Sequence, residues 1–286
     1  MKKVGKVLGL VLAASCVMGM AACGGSKGDD LAIGKSYVVA DSQLAALMKL
    51  DQGVADVAVI DSVMAGYYTA TGDYAAKMQM VDGLVLAEES YGIAAKKGNQ
   101  AFMSKINEAL IAIRETKYAD VAEEYGLTSS IALTAATTNP YADATDNSWT
   151  EVVESGTIVL GYTEFAPIAF KVDGTLTGFD IDLANEVVAW LNTTYEVNLT
   201  LDLQEIDWNA KETLLENGSI DLVWNGMTIT EERAANMCVS VPYLFNKQVA
   251  VIMKADAAKF TSVESMKNAI MTAETGSAGE EIIQGK

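Results

Sequence analysis

The segment from Asn225 to Arg233 (NGMTITEER) has the residue types of an anion-binding site. It follows the run Ile220–Trp224, which predicts a buried strand, and Gly226 and Thr230 are suited to a close backbone approach and to a helix cap. The N–H groups at the start of such a helix attract anions, and the guanidinium of Arg233 can hold a carboxylate through two parallel hydrogen bonds. A solvated position on the helix is an alternative for Arg233, and the residue types alone leave both open.

Asp61 is a second candidate, because it directly follows the run Asp56–Ile60, which is apolar after its first residue. Ligands of open α/β sheets bind beyond the carboxyl ends of the strands, so a carboxylate at this point could hold an ammonium group. Asp61 could also cap a helix over Ser62–Thr69, and this role is compatible with ligand binding.

The elements that must position these residues are short strands alternating with helices, which predicts α/β layers around a mainly parallel sheet. The stripe formed by Leu183, Val187, Val188 and Leu191 indicates a helix over Phe179–Leu191. Thr261–Glu264 has the spacing of a capping box and predicts another helix start, whereas Ser129–Ser148 has no sustained period and predicts a linker. The candidate strands are Tyr37–Ala40, Asp56–Ile60, Thr157–Gly161, Leu199–Glu205, Ile220–Trp224, Val249–Lys254 and Ile270–Glu274.

The first residues predict export. A basic head is followed by the apolar run Val7–Ala14, which is too short to span a membrane, and then by Ala21, Ala22 and Cys23. This pattern resembles a bacterial lipoprotein signal, in which the cysteine is lipidated, although Met20 stands where leucine is usual. We therefore expect a signal peptide over residues 1–22, a tether over 23–36 and an extracytoplasmic protein anchored to the cell membrane through Cys23. An ordinary secretory signal is the alternative.

Composition excludes several functions. Without residues 1–22 the chain has 17 basic and 38 acidic residues, a net charge of −21, which disfavours nucleic acid as a partner. The sequence has no histidine, the commonest general base and metal ligand, and it has no zinc-type cysteine spacing, glycine-rich phosphate loop or serine-nucleophile motif. We expect no metal, no cofactor and no catalytic residue.

Several motifs resemble those of the amino-acid-binding proteins of ABC transporters, the bacterial extracellular solute-binding proteins of family 3. The clearest are Gly161–Phe170 (GYTEFAPIAF), Gly178–Ala184 (GFDIDLA) and Asn225–Arg233. Shorter matches are Val241–Tyr243, Ala55–Asp61 and Glu89–Ala94. The resemblance implies an α/β, two-lobed periplasmic-binding-protein type II fold that closes over one free amino acid and delivers it to an ABC permease and ATPase complex.

The resemblance also implies roles for individual residues. Arg233 would hold the α-carboxylate of the ligand with help from the Thr228 backbone N–H, and Asp61 would hold the α-ammonium group. Phe165 and Trp208 would stack against the side chain of the ligand. The remaining expected pocket residues are Tyr162, Glu164, Asn225, Gly226, Glu274 and Thr275.

The identity of the ligand is left open by these residues. Tyr162 stands where some binders of basic amino acids have an acid, which weakens a lysine or arginine assignment. Glu164 and Glu274 would favour a cationic or hydrogen-bonding side chain if they point inward. We expect a polar amino acid, with a neutral one favoured, and a monomeric protein. A dehydratase-like enzyme on the same fold and an amino-acid sensor or receptor module are the alternatives.

The order of the segments differs from that of the family and indicates a circular permutation cut within the second lobe. Lobe 2 would comprise residues 37–92 and 249–286, and lobe 1 would comprise 93–127 and 149–248, with 128–148 joining the usual chain ends. Both lobe-crossing segments, near Ser90–Ala94 and Asn246–Val251, are kept, so hinge closure should be preserved. The permutation predicts that Lys286 lies beside the Leu31 region.

Overall fold

The computed structural model describes residues 31–70 and 74–286. The expected signal peptide, the lipidation site Cys23 and most of the expected tether lie outside the described residues. Within those two ranges, no helix combines the length and the apolar character that crossing a membrane requires.

A long mixed sheet organises the chain. Its strand order is β1-β12-β2-β11-β4-β9-β5-β8, with the short strands β10 and β3 paired to β4 and β11, while β6 and β7 form a separate hairpin. The strands are β1 Ser36–Ala40, β2 Val57–Asp61, β3 Met78–Met80, β4 Ala87–Ala95, β5 Thr157–Tyr162, β6 Phe170–Val172, β7 Thr175–Thr177, β8 Thr200–Glu205, β9 Leu222–Thr228, β10 Cys238–Val239, β11 Leu244–Met253 and β12 Ile270–Glu274.

Helices cover both faces of this sheet, so the expected mixed α/β class is confirmed. The predicted helix over Phe179–Leu191 is α6, which runs on to Tyr195, packs against α3 and α4 and buries the predicted stripe. The helices are α1 Gln43–Asp51, α2 Ser62–Ala70, α3 Gln100–Ile113, α4 Lys117–Glu124, α5 Ser148–Ser155, α6 Phe179–Tyr195, α7 Lys211–Glu216, α8 Glu231–Asn236 and α9 Ala278–Gln284.

The sheet has two outer parallel halves and an antiparallel centre. The pairs β1–β12, β12–β2, β5–β8 and β5–β9 are parallel. In the centre, β11 runs antiparallel to β2 and β4, and β4 runs antiparallel to β9. The prediction of a mainly parallel sheet is therefore correct only for the outer halves, because apolar runs do not reveal the direction in which a strand pairs.

The two central strands connect two lobes. We call the half with β5, β8, β9 and α3–α8 lobe 1, and the half with β1–β3, β12, α1, α2 and α9 lobe 2. Strands β4 and β11 pair with each other from Tyr91 opposite Leu244 to Ala87 opposite Gln248, and each then pairs within one lobe. Because these strands are shared, they form the structural connection about which the lobes can move.

The apolar sequence of strand β2 is explained by burial of both of its faces. All five of its residues are buried, with Val57 and Val59 in one hydrophobic cluster and Ala58 and Ile60 in another. Since successive side chains point to opposite faces, helices on both sides of the sheet require apolar residues at every position. The prediction of a buried strand at this position is confirmed.

Two expectations about chain segments need correction. The tether does not extend to residue 36, because Ala32 N donates to Ile283 O at 2.9 Å and Lys35 N donates to Ala269 O at 2.8 Å. No α-helix starts at Thr261, since Thr261 N and Ser262 N bind the Ser265 hydroxyl and a single 3₁₀ turn follows.

The segment between residues 128 and 148 packs on lobe 1. Ala132 N donates to Tyr243 O at 3.1 Å, and the Asn139 amide donates to Ser104 O at 3.0 Å. The segment is therefore held on lobe 1 by backbone bonds, including a single bridge between Ile131 and Leu244, and by side-chain contacts. The predicted proximity of the Leu31 region to the end of α9 is found, through the bonds from residues 32 and 33 to Ile283.

Candidate functional site

A narrow cavity lies between the two lobes, where β2, β9 and β12 reach their carboxyl ends. Both lobes contribute to its wall, as expected for a ligand that is enclosed by closure. The lining residues are Gln43, Asp61, Thr163, Phe165, Trp208, Asn225, Gly226, Thr228, Arg233, Glu274, Ser277 and Ala278.

Eight of the residues proposed from the sequence meet in this cavity: Asp61, Phe165, Trp208, Asn225, Gly226, Thr228, Arg233 and Glu274. Three others do not line it. Glu164 points to solvent and pairs with Lys171 at 2.7 Å, and Thr275 N donates to Ala40 O at 2.9 Å. Tyr162 is buried at the end of β5, beside the cavity wall rather than in it.

Arg233 is held in place from both lobes. Thr230 caps α8 as predicted, since its hydroxyl accepts from Arg233 N at 3.1 Å. The guanidinium is only 3% exposed, and it donates to Thr228 O at 2.9 Å and to Gly276 O and Glu281 Oε1 at 3.1 Å each. A guanidinium has five N–H donors, so two remain for a ligand carboxylate. Arg233 is therefore buried at the interlobe boundary, and the solvated alternative is wrong.

Asp61 is the last residue of β2 and is 4% exposed. Its carboxylate accepts from Tyr91 Oη at 2.9 Å and from Gln248 Nε2 at 2.8 Å, and it also binds the side-chain amides of Gln43 and Asn246. Burial, and next the neighbouring Glu89, raise the pKa of Asp61 well above its usual range. A cationic group bound at this carboxylate would favour its ionised form and offset that rise.

Asn246 performs the capping role considered for Asp61. Its side-chain oxygen accepts from Ser62 Oγ at 3.0 Å and from Val63 N at 3.3 Å, at the start of α2. Its amide nitrogen donates to both Asp61 and Glu89. Because Asn246 belongs to the crossing strand β11, the carboxylate of Asp61 is hydrogen-bonded directly to the connection between the lobes.

Gly226 shapes the cavity wall at a position that needs glycine. Its φ is +63°, and a Cβ atom would lie 2.7 Å from Phe165 Cε1 and 3.1 Å from Tyr91 Cε2. The close backbone approach predicted from the sequence is thus required by two aromatic rings. Replacing Gly226 with a residue that has a Cβ atom would displace Phe165, one of the two aromatic residues among the described lining of the cavity.

Asp180 fixes the backbone at Gly226 and was not proposed as a functional residue. It is fully buried in α6, and its Oδ2 accepts from Gly226 N and Tyr243 Oη at 2.7 Å each. Burial raises the pKa of Asp180 to about 7. The signal in the sequence was its place in the GFDIDLA motif, where an acid interrupts the apolar face of a helix.

The lining residues Gln43, Thr163, Ser277 and Ala278 were also missed. Gln43 and Ser277 lie at the starts of α1 and α9, and Ser277 caps α9 by accepting from Glu280 N at 3.2 Å. The Ser-x-x-Glu spacing of Ser277 and Glu280 is a capping-box signature and could have revealed this helix start beside the cavity. Nothing comparable in the sequence marks Gln43. Among the residues of known placement, no group of three or more acidic or cysteine side chains is arranged to hold a metal ion.

Comparison with known proteins links this geometry to a family. Residues 158–276 match the family model of bacterial extracellular solute-binding proteins, family 3. A probable histidine-binding protein of Neisseria gonorrhoeae is 30% identical over 123 residues, which cover 41% of this chain and 43% of that protein. An arginine-binding extracellular protein of Bacillus subtilis is 27% identical over 140 residues, 49% of this chain and 52% of that protein. The chain thus matches about half, or less, of the length of these relatives.

A solved structure gives the same sequence relationship. An ABC uptake transporter substrate binding protein from Streptococcus pneumoniae with bound histidine is 38% identical, with 32% of this chain and 35% of that chain covered and a TM-score of 0.27. A TM-score this low carries no information on the arrangement of the lobes. The motifs that resembled amino-acid-binding proteins fall largely within the matched segment. Residues 158–276 of this chain are therefore similar to the bacterial extracellular solute-binding proteins of family 3.

Proposed function

We propose that the interlobe cavity binds one free, polar amino acid. Arg233 holds the α-carboxylate, with the Thr228 backbone N–H assisting, and Asp61 holds the α-ammonium group. The observation that carries this proposal is that a buried guanidinium from lobe 1 and a buried carboxylate from lobe 2 line one cavity. A guanidinium and a carboxyl group that a bound ammonium keeps ionised complement the zwitterion that every amino acid shares, and excluding water strengthens both contacts.

The side chain of the ligand lies against Phe165 and Trp208, which are 4% and 7% exposed and line the same cavity. Aromatic faces provide apolar area, while Asn225 and Thr163, whose side chains are 2.7 Å apart, provide polar contacts. This combination supports a polar side chain with an apolar stem.

Binding is coupled to closure of the lobes about β4 and β11. The ligand would contact Arg233 on one lobe and Asp61 on the other, so its binding energy favours the closed state over the open one. The bonds from Asn246 in β11 to Asp61 and Glu89 give the ligand-binding carboxylate a direct connection to the crossing strands.

The protein works outside the cytoplasm and delivers its ligand to an ABC permease and ATPase complex. This rests on the family of residues 158–276 and on the names of the relatives, which describe binding proteins. Cys23 carries a lipid that anchors the protein, which acts as a monomer and without enzymatic activity. The absence of histidine from the whole sequence supports binding rather than acid–base catalysis.

The segments of the fold are circularly permuted, with the cut in lobe 2. The support is that residues 32 and 33 are hydrogen-bonded to Ile283, so a short bridge could join the end of α9 to the start of β1. The segment 128–148 correspondingly connects α4 to α5 over the surface of lobe 1. Both crossing strands are intact in this order, which supports hinge closure in the permuted chain.

The test is a thermal-shift panel of the twenty amino acids with the mature chain carrying Cys23→Ser. A true ligand at about 100 times its dissociation constant adds roughly 2.7 kcal/mol of stability. We expect one or a few polar amino acids to raise the melting temperature and to be recovered unchanged after incubation. Failure of every amino acid to shift the melting temperature would refute the binding proposal, and chemical turnover of the ligand would favour a dehydratase-like enzyme.

A further inference from the structure

We propose that Glu274 selects amino acids whose side chain donates an N–H group, with cationic side chains bound most tightly. This inference rests on the proposed function, because it assigns the side-chain subsite of the same cavity. It narrows the ligand from polar amino acids in general to those with nitrogen donors.

The position of Glu274 places its carboxyl group inside the cavity. It is the last residue of β12, it is 5% exposed, and it lines the cavity between the lobes. Asp61 occupies the equivalent place at the end of β2, two positions along the sheet from β1. The carboxyl ends of two parallel neighbouring strands therefore bring two acidic side chains to one cavity.

The two carboxylates differ in their partners. Asp61 accepts hydrogen bonds from four side chains, whereas the carboxylate of Glu274 makes no hydrogen bond or ion pair with any residue in ranges 31–70 and 74–286. A buried carboxylate without a donor is costly, and nearly all such groups in proteins have partners. Since Glu274 faces the cavity, the donor it lacks can be supplied by the ligand.

Lys211, a cationic side chain whose charge acts on Glu274, does not fill this role. Lys211 Nζ donates to Trp208 O at 3.3 Å and to Gly276 O at 3.2 Å, and it lies 4.9 Å from the centre of the Trp208 ring. No ion pair within 4.0 Å joins Lys211 to Glu274 among the residues with described positions. The positive charge of Lys211 therefore acts on Glu274 without a direct bond, and the carboxylate oxygens of Glu274 are left free to accept hydrogen bonds.

The charges in the cavity then define the ligand. Among the described residues that line the cavity, one guanidinium, Arg233, faces two carboxyl groups, Asp61 and Glu274. The α-carboxylate and α-ammonium of an amino acid are matched by Arg233 and Asp61, which leaves Glu274 for a third ligand group. A side-chain ammonium, guanidinium, imidazolium or amide N–H stacked beside Trp208 satisfies it, whereas a side-chain carboxylate is repelled.

The test compares amino acids that have a side-chain N–H donor with amino acids that lack one. Isothermal titration of the wild-type mature chain measures affinities for lysine, arginine, histidine and glutamine, for their apolar counterpart norleucine, and for glutamate. We expect the donor-bearing ligands to bind roughly 30-fold or more tightly than norleucine, as for a buried charge pair, and glutamate to bind more weakly than norleucine. Equal affinities for lysine, glutamine and norleucine would overturn the inference, even though binding itself would uphold the proposed function.

Glu274→Gln supplies the second measurement. We expect the ratio of lysine to norleucine affinity to fall roughly 30-fold or more, with norleucine affinity unchanged. Glu264→Gln is the matched control, because it makes the same chemical change at an exposed carboxyl of lobe 2 and should leave the ratio as in wild type. A Glu274→Gln variant with normal circular dichroism and an unchanged ratio would overturn the inference. Binding of no amino acid to wild type would overturn the proposed function and the inference together.

Discussion

Replacing Arg233 with alanine should weaken amino-acid binding far more than it weakens the fold. For binding, the change removes one side of a buried charge pair, which costs roughly 2–5 kcal/mol, or about 30- to 4,000-fold in affinity. The free energy of unfolding should decrease by less than the free energy of binding. Gly276 O keeps the Lys211 donor at 3.2 Å, so chiefly Thr228 O loses its partner, at a cost of about 1–3 kcal/mol. The pair with the half-buried Glu281 adds little.

Isothermal titration with the amino acid chosen by the thermal-shift panel measures the affinity, and urea denaturation measures the free energy of unfolding. Arg233→Lys should recover part of the affinity, since it keeps the charge and loses the planar fork. Arg114→Ala is the matched control: Arg114 lies at the end of α3, pairs with Glu115 and does not line the cavity. A folded Arg233→Ala protein with an affinity within about threefold of wild type would remove Arg233 from the site.

Two further predictions concern the buried acid of α6 and the order of the segments. Burial raises the pKa of Asp180 from an ordinary value near 4 to about 7, so the protonated form favours folding and this contribution is lost as pH rises from about 4 to 7. The free energy of unfolding of Asp180→Asn, relative to that of wild type, should therefore increase by on the order of 4 kcal/mol as the pH rises from about 4 to 7. Urea denaturation that gives the same difference at both pH values would contradict this prediction. A chain opened within residues 128–148 and joined from Lys286 to Leu31 by a short Gly-Ser bridge should fold and bind the same amino acid. Its failure to fold would contradict the permutation.

Strand positions were most predictable where the local pattern and the tertiary environment agree. Strand β12 has the predicted bounds, Ile270–Glu274, because it is covered on both faces and ends at the cavity. Strand β4 was not predicted as a strand, since its first half, Ala87–Ser90, is polar and partly exposed and only its second half is buried. The change from exposed to buried residues along β4 arises because the strand passes from one lobe to the other. A short stretch of sequence gives no information about that passage.

The same reasoning explains which site residues were found. Arg233, Gly226 and Thr230 share one strand–turn–helix segment, so their spacing carried the prediction. Gln43 enters the cavity only because α1 packs beside β2, where its side-chain oxygen accepts from Asp61 N at 2.9 Å. Glu164 was expected near the pocket, but the pair with Lys171 turns it to solvent. Contacts between distant segments, rather than residue types, decided these cases.

A crystal structure of the mature chain with its tightest-binding amino acid would show directly how the interlobe cavity holds its ligand. We expect one ligand between the lobes, with its α-carboxylate on the Arg233 guanidinium, its α-ammonium on Asp61 and its side chain between Phe165 and Trp208. A ligand bound outside this cavity, or bound in it with the α-carboxylate turned away from Arg233, would refute the proposed binding mode.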